Sequence, residues 1–248
     1  MLPPDPDIFA LRRSYRSLDP ALIIDTAEKL YQRIGDRFPD SSLRGVCAEL
    51  VSLSYDLATA AEALKAPIWS VRAVIAAVIA AGAAIFIFVG TILPLERISG
   101  GDNVSESVQG IEASLNTVIL VVLGLLALVS VEQRIKRKRV FQQLHGLRSL
   151  IHVIDMHQLT KDPAALSGRF TPAPHSPKRV LDAAGLARYL DYCSEMLSIT
   201  GKLAALFAQA VDDEVVVEAV NDIEELGSNL SRKVWQKIMM IETEVNRP

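Results

Sequence analysis

The sequence predicts an all-α membrane protein: two transmembrane helices with a cytosolic helical bundle built from the N- and C-terminal segments. Three observations carry that expectation. Two long runs, Ala73–Leu93 and Ala113–Val131, contain no charged residue. Lysine and arginine crowd the outer flanks of these runs and are scarce between them. Elsewhere apolar residues recur at steps of three and four, and no segment shows the strict alternation or hairpin signal of a strand.

Composition alone decides little. Half of the 248 residues are hydrophobic and the mean hydropathy is +0.27, a fraction that soluble domains also reach. The distribution is what separates the two runs from the rest. A net charge of −3 and an aromatic content of 6% offer neither a basic footprint nor stacking platforms, so no nucleic-acid partner is expected. The opening residues place prolines and aspartates ahead of any apolar run, so a signal peptide is not expected there.

Residues 1–66 are expected to form N-terminal cytosolic helices. The first starts at Asp19-Pro20, with proline suited to the first turn, and runs over Leu22–Phe38 until Pro39-Asp40-Ser41-Ser42 breaks it. The second carries Leu43, Val46, Leu50, Leu53, Leu57, Ala60 and Leu64, a heptad-like stripe. Pro67 marks a break ahead of the first transmembrane helix, residues 67–93. At about 1.5 Å per residue, each charge-free run is about 30 Å long and matches the hydrocarbon core of a bilayer. Two such runs in a water-soluble chain would leave no polar face for solvent.

Residues 94–112 are expected to form a short external loop. Gly100-Gly101-Asp102-Asn103 gives it a turn, and Glu96, Asp102, Glu106 and Glu112 make it acidic. Transmembrane helix 2 follows at 113–133 and continues into the cytosol over 134–159. Val140, Leu144, Leu147, Ile151 and Ile154 form the apolar stripe of that continuation. A proline-rich loop occupies 160–178, and a C-terminal helical hairpin 179–248. The hairpin's first stripe is Leu186, Leu190, Cys193, Leu197, Thr200, Ala204, Phe207 and Val211. After Asp212-Asp213 its second stripe is Val216, Val220, Ile223, Leu230, Val234, Ile238, Ile241 and Val245.

Orientation follows from the basic flanks. Lys65 and Arg72 precede the first run, and Arg134, Lys136, Arg137, Lys138 and Arg139 follow the second, while the loop holds only Arg97. Both termini are therefore expected in the cytosol of a multi-pass plasma-membrane protein, a bacterial inner membrane being the foremost setting. The cluster from Arg134 to Arg139 is placed to meet anionic lipid headgroups. In the first run Ala73, Ala77 and Ala81 repeat every four positions beside Gly82, a spacing that lets helix backbones approach closely. These four residues are the expected helix-packing face.

The densest polar segment is His145–Asp162. On a helix His145 and His152 share a face, and Asp155 lies one turn beyond His152. The three are candidates for a divalent metal or for pH sensing. Their spacing matches no established metal motif, and the alternative is a polar helix face that bonds its neighbours. Cys47 and Cys193 have neither a CxxC nor a nearby histidine, and suit core positions. No GxSxG, GxGxxG or GxxxxGK[ST] is present. No enzyme activity and no cofactor are expected.

The expected function is a self-associating membrane protein, a homo-oligomer that forms an ion channel or pore gated by its cytosolic helices. The alternative is a membrane-anchored scaffold or regulator whose bundle binds a cytosolic protein partner. A membrane enzyme using His152 and Asp155 ranks third. Neither charge-free run holds an ionisable residue, which weighs against an ion-coupled transporter or proton pump.

Overall fold

The computed structural model describes residues 16–92, 104–166, 171, 173–176 and 181–245. Among the described residues the chain is all-helical, without strands. The helices are α1 (Pro20–Arg37), α2 (Ser42–Lys65), α3 (Trp69–Ile92), α4 (Val104–Leu159), α5 (Ala183–Ala210) and α6 (Glu214–Val245), with a 3-10 turn at Pro163–Leu166. The chain divides into two compact units: Met1–Lys65 with Arg139–Pro248, and Ala66–Lys138.

The first unit is a helical bundle around one main core. α1 begins where Asp19 Oδ1 accepts from Ala21 N at 2.9 Å, with Pro20 in its first turn, so one orphan donor of the helix end is satisfied. It buries Ile23, Ala27, Leu30 and Ile34. It ends at Phe38, whose ring meets the edges of Tyr189 and Tyr192 at 5.8 and 6.2 Å. α2 buries Leu43, Val46, Cys47, Leu50, Ser54, Leu57, Ala61 and Leu64. The expected stripe had Leu53 and Ala60 in it, but these are half-buried and Ser54 and Ala61 lie inside. A serine fits there because its hydroxyl donates to Leu50 O at 2.7 Å, which removes the cost of burying it.

The later part of α4 adds Val140, Leu144, Leu147, Leu150, Ile151 and Ile154 to the same core. α5 is buried along its whole stripe from Leu186 to Phe207, with Val211 following at its C-cap. α6 buries Val216, Val220, Ile223, Leu230, Val234, Ile238 and Ile241; the side chain of Val245 lies outside the described residues. Between Ile223 and Leu230 the stripe of α6 has no fully buried apolar residue, Leu226 being half-buried against the core. Gly227 is buried in that turn: a β-carbon there would stand 3.4 Å from Leu197 O, at the short end of ordinary contact, so the crossing of α5 and α6 leaves little room for a larger side chain. A smaller cluster of Leu186, Leu190, Val234, Ile238 and Ile241 extends the hairpin interface. Each fully buried leucine or isoleucine stabilises the bundle by roughly 1.5–3 kcal/mol.

In the second unit α3 starts after a break at residues 66–68 beside Pro67. α4 starts at Val104, so residues 104–112 are helical rather than loop. Val104, Val108 and Ile111 recur at helical steps with no proline among them, and the single glycine, Gly110, is tolerated inside a helix, which accounts for the earlier start. Among the described residues one helical stretch, within Ser42–Ala84, is long and apolar enough to cross a membrane, and none of its apolar window is buried. That window belongs to α3. The second charge-free run includes positions such as Ala113 and Thr117 whose side chains lie outside the described residues.

Candidate functional site

The densest polar cluster of the bundle closes the C-terminal end of α4. The last carbonyls of a helix lack intrahelical donors, and here Gln158 is only 2% exposed, so water does not serve it. Lys237 on α6 supplies the donor: its Nζ donates to Gln158 O at 2.8 Å and to Gln158 Oε1 at 2.6 Å. Gln158 Nε2 in turn donates to Asp155 Oδ1 at 2.6 Å. Burial holds the Lys237 amine below its ordinary value, while the carboxylates of Asp162 and Asp155 pull the other way.

The chain then turns back over α5. Lys161 N donates to Gln158 O at 3.1 Å, and Lys161 Nζ stands 4.8 Å from the centre of the Tyr189 ring, a cation–π contact. Asp162 Oδ1 accepts from Ala164 N at 2.9 Å and so opens the 3-10 turn. His157 Nδ1 lies 2.8 Å from Val153 O, and since a carbonyl only accepts, that nitrogen carries the proton. Burial pushes the Cys193 thiol up to about 12, against the charges of Lys161 and Lys237. Tyr189 rises to about 12 for the same reason. A thiol that holds its proton this firmly is no nucleophile near neutral pH. The arrangement is a clamp that fastens α6 and the 158–162 segment to the end of α4.

The expected ligand set of His145, His152 and Asp155 is not brought into one site. His145 lines a groove of about 280 Å³ with Phe141, Arg148 and Asp222, where Arg148 faces Asp222 at 3.8 Å. His152 is exposed, and Asp155 is engaged by Gln158. Among the described residues no group of three or more histidine, cysteine, aspartate or glutamate side chains could hold a metal ion.

A second polar cluster lies in the other unit, at the end of the charge-free run of α4. Glu132 Oε1 accepts from Ile68 N at 3.2 Å, and its Oε2 accepts from Arg72 Nε at 3.1 Å. Lys136 lies 3.4 Å from the same carboxylate. Glu132 therefore ties the start of α3 to α4. Of the basic residues expected to meet lipid headgroups, Lys136 is thus committed to Glu132, while Arg134, Lys138 and Arg139 are exposed and Arg137 is half-buried. Beside this cluster Val71, Val74, Ile75, Leu128 and Val131 line an apolar slot between the two helices.

Among the described residues nothing covers the small-residue face of α3. Ala73, Ala77, Ala81 and Gly82 are all exposed, and a β-carbon at Gly82 would meet nothing within 4 Å. Of the acidic loop residues, Glu96, Asp102 and the side chain of Glu106 lie outside the described residues, and Glu112 is exposed.

Sequence alone does not single out Lys237, Gln158 or Glu132. An isolated acid within the basic stretch after a charge-free run was a readable signal for Glu132. Lys237 carried none, because lysine on an amphipathic helix is ordinarily solvated. Searches of family models, of curated proteins and of solved structures find no match to this chain.

Proposed function

We propose that the chain is a two-span integral membrane protein, both termini in the cytosol, that self-associates through the Ala73, Ala77, Ala81 and Gly82 face of α3. The assembly forms an ion channel or pore gated by the cytosolic helices. The observation that carries this reading is the exposure of apolar side chains along both charge-free runs. In α3, Val74, Ile87 and Phe88 are 60%, 64% and 65% exposed. In α4, Leu115, Val118 and Leu126 are 60%, 58% and 63% exposed. Apolar surface left in water costs about 25 cal/mol per Å², and a contiguous patch of this kind marks a lipid or protein contact. The basic flanks argue for cytosolic termini.

The gating element in this reading is α4. One unbroken helix, Val104–Leu159, carries the second charge-free run and also Leu144, Leu147, Ile151 and Ile154 of the bundle core. A bundle that repacks therefore acts on the same helix that crosses the bilayer. The alternative, a membrane-anchored scaffold, draws support from Trp235 and Met239, which stand one turn apart on α6 and are 52% and 56% exposed.

Two measurements on purified protein test the proposal. Ala77→Leu together with Ala81→Leu should shift the mass in nanodiscs from oligomer to monomer; an unchanged mass would remove α3 as the interface. Liposomes containing the wild type should pass ions above the empty-vesicle rate. A stable oligomer silent across voltage and pH would leave the scaffold reading in its place.

A further inference from the structure

We infer that the groove between α5 and α6 binds a phosphate-bearing small molecule whose flat or apolar part rests on Trp235. This goes beyond the pore reading and stands whether or not flux is found. The groove measures about 510 Å³, within the range of about 300–1,000 Å³ typical of small-molecule sites. It exists because glycines stand where the two helices cross. Gly227 faces the Leu197 carbonyl and Gly201 faces the Glu224 side chain, so no side chain fills the trough beside the crossing.

The groove is lined by Ser198 and Lys202 from α5 and by Ser228, Ser231 and Arg232 from α6, the Ser231 hydroxyl pairing with Ser194 Oγ at 2.6 Å. Lys202 Nζ is held by Ser198 Oγ at 2.6 Å and Ser198 O at 3.3 Å, which positions the ammonium without neutralising it. Among the described residues neither Lys202 nor Arg232 forms an ion pair with an acid. Glu224, the single acid among the lining residues, lies against Gly201 instead.

An ammonium, a planar guanidinium fork and serine hydroxyls together match the several acceptor oxygens of a phosphate better than the two of a carboxylate. Trp235 adds an exposed aromatic face at the rim, a surface on which a planar ring stacks. Two sources present this chemistry: a soluble aromatic phosphomonoester of the nucleotide kind, or the headgroup of an anionic lipid.

The test uses the full chain in nanodiscs of neutral lipid. Trp69→Phe leaves Trp235 as the sole tryptophan, since the chain has two. Adenosine monophosphate, short-chain phosphatidic acid and uncharged adenosine are titrated against its fluorescence. A saturable change with adenosine monophosphate and none with adenosine is the expected result. Lys202→Gln with Arg232→Gln should weaken it at least tenfold. Gly201→Met should weaken it as much by filling the trough, and the fold tolerates that change because a β-carbon at 201 meets only Glu224 Cγ at 3.7 Å. Saturation by phosphatidic acid alone would assign the site to lipid headgroups and keep its chemistry. The inference fails if no phosphate probe saturates in the millimolar range, if adenosine binds as well as its phosphate, or if the charge variant binds like the wild type while melting normally.

Discussion

At the scale of single residues, a part-buried polar pair closes the C-terminal end of α4. Lys237 holds the pair together, since its one amine donates to both Gln158 O and Gln158 Oε1. Replacing it by methionine keeps the stem's packing, strands Gln158 Oε1 and leaves Gln158 O with the Lys161 N–H alone. Unmet buried acceptors cost about 1–3 kcal/mol, partly offset by relief of the burial that lowers the amine's pKa. Lys237→Met should therefore lower the unfolding free energy by roughly 1–2 kcal/mol in denaturant titrations, and a change within error would mean the clamp is dispensable. The buried acids give an alkaline signature. Cys47, Cys193 and Tyr189 are each pushed up to about 12 by burial. The folded chain keeps these protons after the unfolded chain has released them. Their stabilisation is complete below the ordinary thiol value of 9.0 and fades as pH rises toward about 12. Lys237 acts in the opposite sense, because its lowered pKa makes stability rise just below 10.5, but it is one group against three. Stability should fall over this window. Cys47→Ala with Cys193→Ala should flatten the fall, and an equal slope in that variant would exclude the thiols as its source.

At the scale of elements, the crossing of α5 and α6 separates two glycines that look alike in sequence. A β-carbon at Gly227 meets a backbone oxygen at 3.4 Å, whereas one at Gly201 makes an ordinary 3.7 Å contact with a side chain. Gly227→Leu adds three carbons beyond that β-carbon at the crossing and should lower stability, since overpacking of this kind costs about 1–3 kcal/mol. Gly201→Ala should leave the melting temperature nearly unchanged. Equal losses for the two would mean the helices do not cross at Leu197. The helix positions themselves were legible before any coordinates. The proline and aspartate at Asp19-Pro20, the break at Pro67 and the stripes of α4, α5 and α6 are local patterns, and each marks an element of the fold. Less legible was the face of α2, where Ser54 displaced Leu53 from the core. Only the neighbouring Leu50 carbonyl makes that serine's burial inexpensive.

At the scale of the whole molecule, the proposed sidedness can be read by labelling. In a Cys47→Ser, Cys193→Ser background, Glu106→Cys should react with a membrane-impermeant maleimide added to intact cells, and Arg188→Cys only after lysis. The reverse order would overturn the orientation. The expressed chain should also stay with the membrane fraction through an alkaline carbonate wash, and release into the supernatant would remove the bilayer from the account. The sequence by itself determined the helical class, the helix positions apart from the start of α4, and the two charge-free runs, because periodicity and hydropathy are properties of neighbouring residues. It did not determine the pairings. Lys237 and Gln158 are 79 positions apart, and Arg72 and Glu132 are 60. Neither those contacts nor the trough between α5 and α6 has a local pattern, since each depends on which surfaces meet once the chain has folded. The three candidates His145, His152 and Asp155 failed to form a single site for the same reason: helical spacing sets the direction of a side chain, and only the packed neighbours decide what it faces.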